Sequence, residues 1–250
     1  MAKINRAKEH HESLKTNVNE FLESANKSLT QSSYHSDDGL RVILRATCPL
    51  EVNLKISVIA GEIVHQLRSS LDHLLCALIY QAGHSPGRTT QFPICTSRES
   101  YEEQVKRGRI KGVSPAAEKL IEQSQPFTNP TPNETIINVV STLNNWDKHN
   151  ALVISAAAAQ VGQNIEIGGS GAEITAFANP EVIKFEGGNA DYFYIQLAKP
   201  EPSITVKSSI DLKMAIEVNK DGKIAPLIEV MGQLIAGIEG TIELFKGEFS

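Results

Sequence analysis

The chain has 250 residues, of which 41% are hydrophobic and 21% charged, a composition that indicates a folded globular protein and excludes a disordered one. A formal net charge of -5 argues against a general electrostatic grip on nucleic acid, so any such contact must be local. Three cysteines without C-x-x-C spacing, no secretory signal and no apolar run of about 18 residues predict reduced thiols in a soluble cytoplasmic protein.

The first 50 residues predict a helix, a loop and a strand. Apolar residues recur at helical spacing from residue 3 to about residue 31, and the polar run 31–39 then predicts a loop. Residues 40–47 are rich in branched apolar side chains that alternate roughly in period two. This segment stops before Cys48-Pro49, which favours a strand.

The next predicted helix, residues 53–81, has one apolar and one polar face. At about 100° per residue, the apolar face contains Ile63, Val64, Leu67, Leu71, Leu74 and Leu78, and the polar face contains Glu62, His65, Arg68, Ser69, Asp72 and His73. A merely solvated face would be filled with Lys and Glu. Two histidines beside an arginine and an aspartate therefore predict a functional site.

Residues 88–131 are predicted to form short helices at 98–106 and 115–123 that cover another part of the protein. Ser114 is the expected N-cap of the second, and Pro115 occupies its first position. A further helix is predicted at 133–149, with Asn133 as its cap and Asp147-Lys148-His149 at its end.

The remaining chain changes to short apolar runs separated by turn residues, which predicts an antiparallel sheet. We predict strands at 151–156, 163–167, 172–177, 182–186, 192–198 and 204–218, a turn at 219–223 and a helix at 224–245. The predicted fold class is α+β, a helical bundle core with an antiparallel β-rich C-terminal half and a closing C-terminal helix. The predicted regions are 1–150, helical with a short strand; 151–223, antiparallel β; and 224–250, a helix that packs back on the bundle.

Arg68 and His73 form an R-x4-H pattern within the helix 53–81. In this pattern the chain resembles the HEPN superfamily, helical nucleases whose signature is an arginine followed after four to six residues by a histidine. The resemblance covers about a third of the chain. The chain is also similar to bacterial proteins that share an L-R-S-x-L-D-H helix and a later D-K-H segment, matched here at 67–73 and 147–149; that similarity carries no activity.

The HEPN resemblance implies a metal-independent endoribonuclease, in a defence or toxin-like role, that acts as a homodimer without a cofactor. His73 would act as acid or base, and Arg68 would stabilise phosphoryl charge with its planar fork. Asp72, His65, Lys148 and His149 would position these two groups. An acidic protein could still bind RNA if Arg68 and Lys148 converge with Lys106, Arg107 and Arg109.

Two other functions stay open at this point. Glu62 and His65 have the Glu-x-x-His spacing of helical metal sites, which Asp147 and His149 could complete, or His65 and His149 could hold one metal with Asp72 or His73. Alternatively, the chain is a non-catalytic binding or assembly protein, in which Arg68 and Asp72 form an i,i+4 ion pair and Glu62, His65 and His149 complete a polar network that fixes helix packing or a dimer interface. The sequence names no protein partner, and it contains no phosphate-loop or dinucleotide-binding motif.

Overall fold

Helices form most of the first 150 residues and strands most of the region that follows. The computed structural model describes residues 1–49, 51–149, 152, 154–161, 166–168, 173–178, 183–207, 210–219 and 222–249. The helices are α1 (Ala2–Ser28), α2 (Leu54–Gln81), α3 (Arg98–Lys106), α4 (Pro115–Gln123), α5 (Ile136–His149) and α6 (Leu227–Glu243). The strands are β1 (Thr30–His35), β2 (Arg41–Thr47), β3 (Ile154–Val161), β4 (Glu166–Gly168), β5 (Ile174–Ala178), β6 (Ile183–Lys184), β7 (Asn189–Leu197), β8 (Thr205–Lys207), β9 (Ile210–Glu217) and β10 (Ile224–Pro226). The predicted α+β class is confirmed.

Helix α2 lies at the centre of the helical core. Asn53 caps it by accepting a hydrogen bond from the backbone N–H of Lys55, and α1, α5 and α6 all contact it. Its apolar side chains, among them Leu67, Leu71 and Leu75, are fully buried, and each such side chain contributes about 1.5–3 kcal/mol through burial. This packing fixes the rotation of α2 and hence the direction of its polar face. Within the described ranges, no helix is long and apolar enough to cross a membrane.

The strands form three antiparallel sheets, with strand orders β1-β2-β7-β5, β10-β9-β3-β6 and β4-β8. In the first sheet β2 pairs with β7, so that Val42 lies opposite Ile195. This sheet therefore joins strands from both sides of the boundary predicted at residue 150. Met214 and Ile216 of β9 pack into the helical core and connect the second sheet to the bundle.

Several element boundaries differ from the prediction. Residues 30–35 form β1 where a loop was predicted, because this strand lies at the edge of its sheet, where polar side chains can face solvent. A 3-10 turn (Pro132–Glu134) occupies the predicted helix start, and α5 begins at Ile136. The segment predicted as one strand at 204–218 forms β8 and β9, and β10 takes the first residues of the predicted last helix by pairing with β9.

Parts of some predictions fall outside the described residues. These are positions 151, 153, 163–165, 172, 182, 208 and 209 of the predicted strands and 220–221 of the predicted turn. The predicted helices at 98–106 and 115–123 are confirmed as α3 and α4, and Ser114 caps α4 by accepting from the N–H of Ala117.

Candidate functional site

Arg68 and Asp72 hold the backbone of one residue in the segment that follows α2. Arg68 Nη2 donates to the carbonyl oxygen of Phe92 at 2.8 Å, and the N–H of Phe92 donates to Asp72 Oδ1 at 2.9 Å. The predicted i,i+4 ion pair forms, with 3.0 Å between Arg68 Nη1 and Asp72 Oδ1. Two side chains of a helix thus give Phe92 the donor and the acceptor that a neighbouring strand would supply.

Gln125 extends this arrangement along the same segment. Its Oε1 accepts from the N–H of Cys95, and its Nε2 donates to the carbonyl oxygen of Pro93, each at 3.0 Å. Gln125 is 1% exposed and Phe92 also 1%. Because buried backbone groups must be paired, Arg68, Asp72 and Gln125 allow residues 92–95 to lie buried without a partner strand.

A polar cavity of about 210 Å³ lies beside this segment, and we call it the Arg68 cavity. Its residues come from α2, α3 and α5 and from the two segments that flank α3. The lining consists of Arg68, Gln91, Phe92, Pro93, Ile94, Cys95, Ser100, Gln104, Arg109, Ser141, Asn144, Asn145 and Lys148. Arg68, Arg109 and Lys148 therefore line the same small cavity. The sequence analysis had grouped Arg109 and Lys148 with Arg68.

Among the described residues that line this cavity there is no carboxylate. Arg109 is held by hydrogen bonds from its Nε to Gln104 Oε1 and from its Nη1 to the carbonyl oxygen of Thr89, at 3.1 and 3.3 Å. Lys148 forms no ion pair within the described part of the chain. Burial lowers the pKa of the Arg68 guanidinium, Asp72 opposes this change, and the positive charge of Arg109 lowers the pKa further. The cavity therefore has a surplus of positive charge.

Two buried groups of the cavity lack a hydrogen-bond partner. Arg68 is 9% exposed, and its Nη1 has an ionic contact with Asp72 but not the geometry of a hydrogen bond. Asn144 is 3% exposed, and its side-chain amide bonds to no other described residue. Buried polar groups without partners are rare because each costs free energy, and a water or another polar molecule would remove that cost.

The α5 side of the cavity is a stripe that sequence reasoning missed. Ser141, Asn144, Asn145 and Lys148 follow the i, i+3, i+4, i+7 spacing that places residues on one helix face. Of these four residues the sequence analysis named only Lys148, which it expected to position the reacting groups and to converge with Arg68. A search for polar residues at helical spacing would have found the stripe.

His73 lies in a different cavity, which we call the His73 cavity. It has a volume of about 590 Å³ and is formed where the start of α1, the middle of α2 and the end of α6 meet. Its lining consists of Met1, Ala2, Lys3, Arg6, Gln66, Ser70, His73, Leu74, Ala77, Ile242, Glu243, Lys246 and Phe249. Within one chain Arg68 and His73 therefore do not share the hollow that the R-x4-H pattern predicts.

The other predicted site residues lie near Asp147 or at the surface. The carboxylate of Asp147 packs directly over Gly61 of α2; burial raises its pKa, the charge of His65 lowers it and that of Glu62 raises it. Glu62 Oε2 is 3.3 Å from His10 Nδ1. His149 is exposed and lines neither cavity. In the ranges that the structure describes, no three His, Cys, Asp or Glu side chains are placed to hold a metal, so the metal alternative has no ligand set there.

The structure thus brings together Arg68, Asp72 and Lys148 and, separately, Glu62, His65 and Asp147. Comparison of the chain with models of known protein families, with curated protein sequences and with solved structures found no match. The function of these sites therefore has to be inferred from their own geometry.

Proposed function

We propose that this protein binds a phosphate group in the Arg68 cavity. The observation that carries the proposal is the convergence of Arg68, Arg109 and Lys148 on a cavity without a lining carboxylate, next to the unpartnered amide of Asn144. An anion would neutralise the surplus charge and accept hydrogen bonds from Arg109, from Lys148 and from the Asn144 amide. This belongs to the binding-protein alternative of the sequence analysis.

The size and donor types of the cavity favour phosphate. Pockets for whole drug-sized ligands measure about 300–1,000 Å³, so a cavity of about 210 Å³ suits a small anion or one group of a larger ligand. Guanidinium groups match the oxygens of a phosphate with a planar fork, and lysine adds a compact charge. Four donor side chains, from α2, from the segment after α3 and from α5, can surround the several oxygens of a phosphate, whereas a carboxylate has only two.

The lining supports binding better than proton transfer. The cavity wall contains no histidine, aspartate or glutamate. Its only thiol, Cys95, is buried, and burial raises the pKa of that thiol, which disfavours the thiolate. Catalysis by a general acid or base needs a group that titrates near neutral pH. Binding of a phosphate therefore needs only groups that this lining contains. Hydrolysis would also need a general acid or base, which the described lining lacks.

Isothermal titration calorimetry tests this proposal, with inorganic phosphate in one experiment and a short single-stranded RNA in another. We expect saturable binding of at least one of them, weakened roughly tenfold or more in Arg109→Gln and in Lys148→Gln, because each variant loses a charged hydrogen-bond donor. Lys106→Gln is the matched control, since Lys106 is exposed and lies outside the cavity. Binding of RNA alone would identify a phosphodiester as the ligand. Absence of binding, or equal loss in Lys106→Gln, would refute the proposal.

Endoribonuclease activity of HEPN type is the second candidate, together with the homodimer and the cytoplasmic location expected from the sequence. The exposed imidazole of His73 favours it, since Lys3, which has no carboxylate partner in the described ranges, lines the same cavity and would attract a phosphodiester. If the candidate is correct, the protein cleaves RNA in the presence of a chelator, and His73→Ala abolishes the cleavage while His84→Ala, at another exposed histidine, keeps it. Intact RNA with the parent protein would exclude this function, and light scattering would measure the oligomeric state.

A further inference from the structure

The lining of the His73 cavity includes both polar and apolar residues. From α2 it receives Gln66, Ser70, His73 and Ala77, at the i, i+4, i+7, i+11 positions of one helix face. Its volume of about 590 Å³ lies within the range of pockets that hold whole small molecules, about 300–1,000 Å³. This cavity is separate from the Arg68 cavity, since the two share no lining residue.

Three polar side chains of this cavity have no partner within the described ranges. Lys3 forms no ion pair, and His73 forms no hydrogen bond. Gln66 Oε1 is buried and has no hydrogen-bond partner. A molecule in the cavity could bring a hydrogen-bond acceptor to Lys3 and to His73.

The charges of the cavity select a head group with a single negative charge. Arg6 is paired with Glu9, with 2.8 Å between Nη1 and Oε2, and Lys246 is paired with Glu243. Lys3 is thus the cation whose charge is left without a carboxylate. The carboxylate of Glu243 in the same wall would repel a dianion such as a phosphate monoester.

The apolar side of the cavity is formed by Leu74, Ala77, Ile242 and Phe249. Phe249 is 43% exposed. An apolar tail would cover this surface and gain affinity by removing it from water. We propose that the His73 cavity binds an anionic amphiphile, a carboxylate that carries an aliphatic tail, with its head at Lys3 and His73 and its tail between Leu74 and Phe249.

Titration calorimetry with octanoate, below the concentration at which it forms micelles, tests this proposal. We expect one octanoate per chain and an affinity that rises about fourfold for each methylene from butyrate to octanoate. Octanol lacks the charge, and octylammonium reverses it, so each should bind at least tenfold more weakly. Equal binding of octanoate and octylammonium would show unspecific adsorption and overturn the proposal, as would the absence of octanoate binding.

Variants at the two cavities separate this inference from the proposed function. Lys3→Gln should weaken octanoate binding severalfold, and Ala77→Trp should abolish it by filling the cavity from an exposed position on α2. Arg109→Gln, in the other cavity, should leave octanoate binding unchanged, and Ala77→Trp should leave phosphate binding unchanged. Octanoate binding that persists in Ala77→Trp would place the ligand elsewhere and refute the assignment.

Discussion

Replacing Arg68 by methionine is expected to lower the free energy of unfolding by about 2–4 kcal/mol. Methionine keeps most of the apolar stem, so the loss comes from the polar contacts. The carbonyl oxygen of Phe92 loses its donor at 2.8 Å, and Asp72 loses the cation at 3.0 Å. The Asp72 side chain is 34% exposed and can recover some hydration, which keeps the loss below that for a fully buried pair.

Urea unfolding of the parent and of Arg68→Met measures this effect, and Arg98→Met is the matched control. Arg98 pairs with Glu122 at 2.7 Å, but both side chains are exposed, and such pairs contribute at most about 1 kcal/mol. A double-mutant cycle of Arg68→Met with Asp72→Asn should give a coupling energy of about 0.5–3 kcal/mol, since the two residues hold the same peptide group. If Arg68→Met costs no more than Arg98→Met, Arg68 does not hold the segment at Phe92.

This structural role determines how the function can be tested. A loss of ligand binding in an Arg68 variant could result from displacement of residues 92–95, which line the same cavity. Arg109 and Lys148 line the cavity without bonding to that segment. Their variants therefore report on the ligand, whereas an Arg68 variant reports on the fold and the ligand together.

The sequence predicted what depends on neighbours along the chain. The span of α2, the cap at Ser114 and the ion pair between Arg68 and Asp72 all follow from helical spacing and local hydrogen bonding. The same spacing grouped Arg68 and His73 on one polar face of α2, but it puts them at opposite edges of that face. Five residues correspond to about 500°, so the two side chains leave the helix about 140° apart, and the structure places them in different cavities.

What depends on distant segments could not be predicted. Arg68 bonds to Phe92, 24 residues further along, and the cavity adds Arg109 and the α5 stripe, about 40 to 80 residues from Arg68. The sequence analysis had grouped Arg109 and Lys148 with Arg68, but it could not distinguish them from Lys106 and Arg107, which lie outside the cavity lining. Strand β1 has no alternation of apolar residues, because its place at the edge of the sheet requires none. Its pairing with β2 places Thr30 opposite Thr47 and depends on a turn in which Asp38 Oδ1 accepts from the N–H of Leu40.

The contact between α2 and α5 at Gly61 gives the second large expected effect. A Cβ at position 61 would lie 2.6 Å from Cγ of Asp147 and closer still to Oδ1. Alanine normally stabilises a helix interior by about 0.5–1 kcal/mol relative to glycine. At this position we expect the opposite sign: Gly61→Ala should lower the free energy of unfolding by about 1–3 kcal/mol, because α5 must move or the Asp147 side chain must rotate.

The effect of Gly61→Ala on the free energy of unfolding should change sign when Asp147 is replaced, and this would show that the Asp147 carboxylate causes the destabilisation. In the Asp147→Ala background the carboxyl group is gone, so Gly61→Ala should become stabilising by up to about 1 kcal/mol. Gly240→Ala is the matched control: Gly240 lies in α6 and has no heavy atom within 4 Å of a built Cβ, so this variant should be stabilising in both backgrounds. If Gly61→Ala is destabilising with and without the Asp147 carboxylate, the helices do not pack through this contact. If Gly61→Ala is stabilising in the parent protein, the Asp147 side chain rotates away at little cost. Its position over Gly61 then contributes little to the register of α5, and the stripe from Ser141 to Lys148 depends on that register.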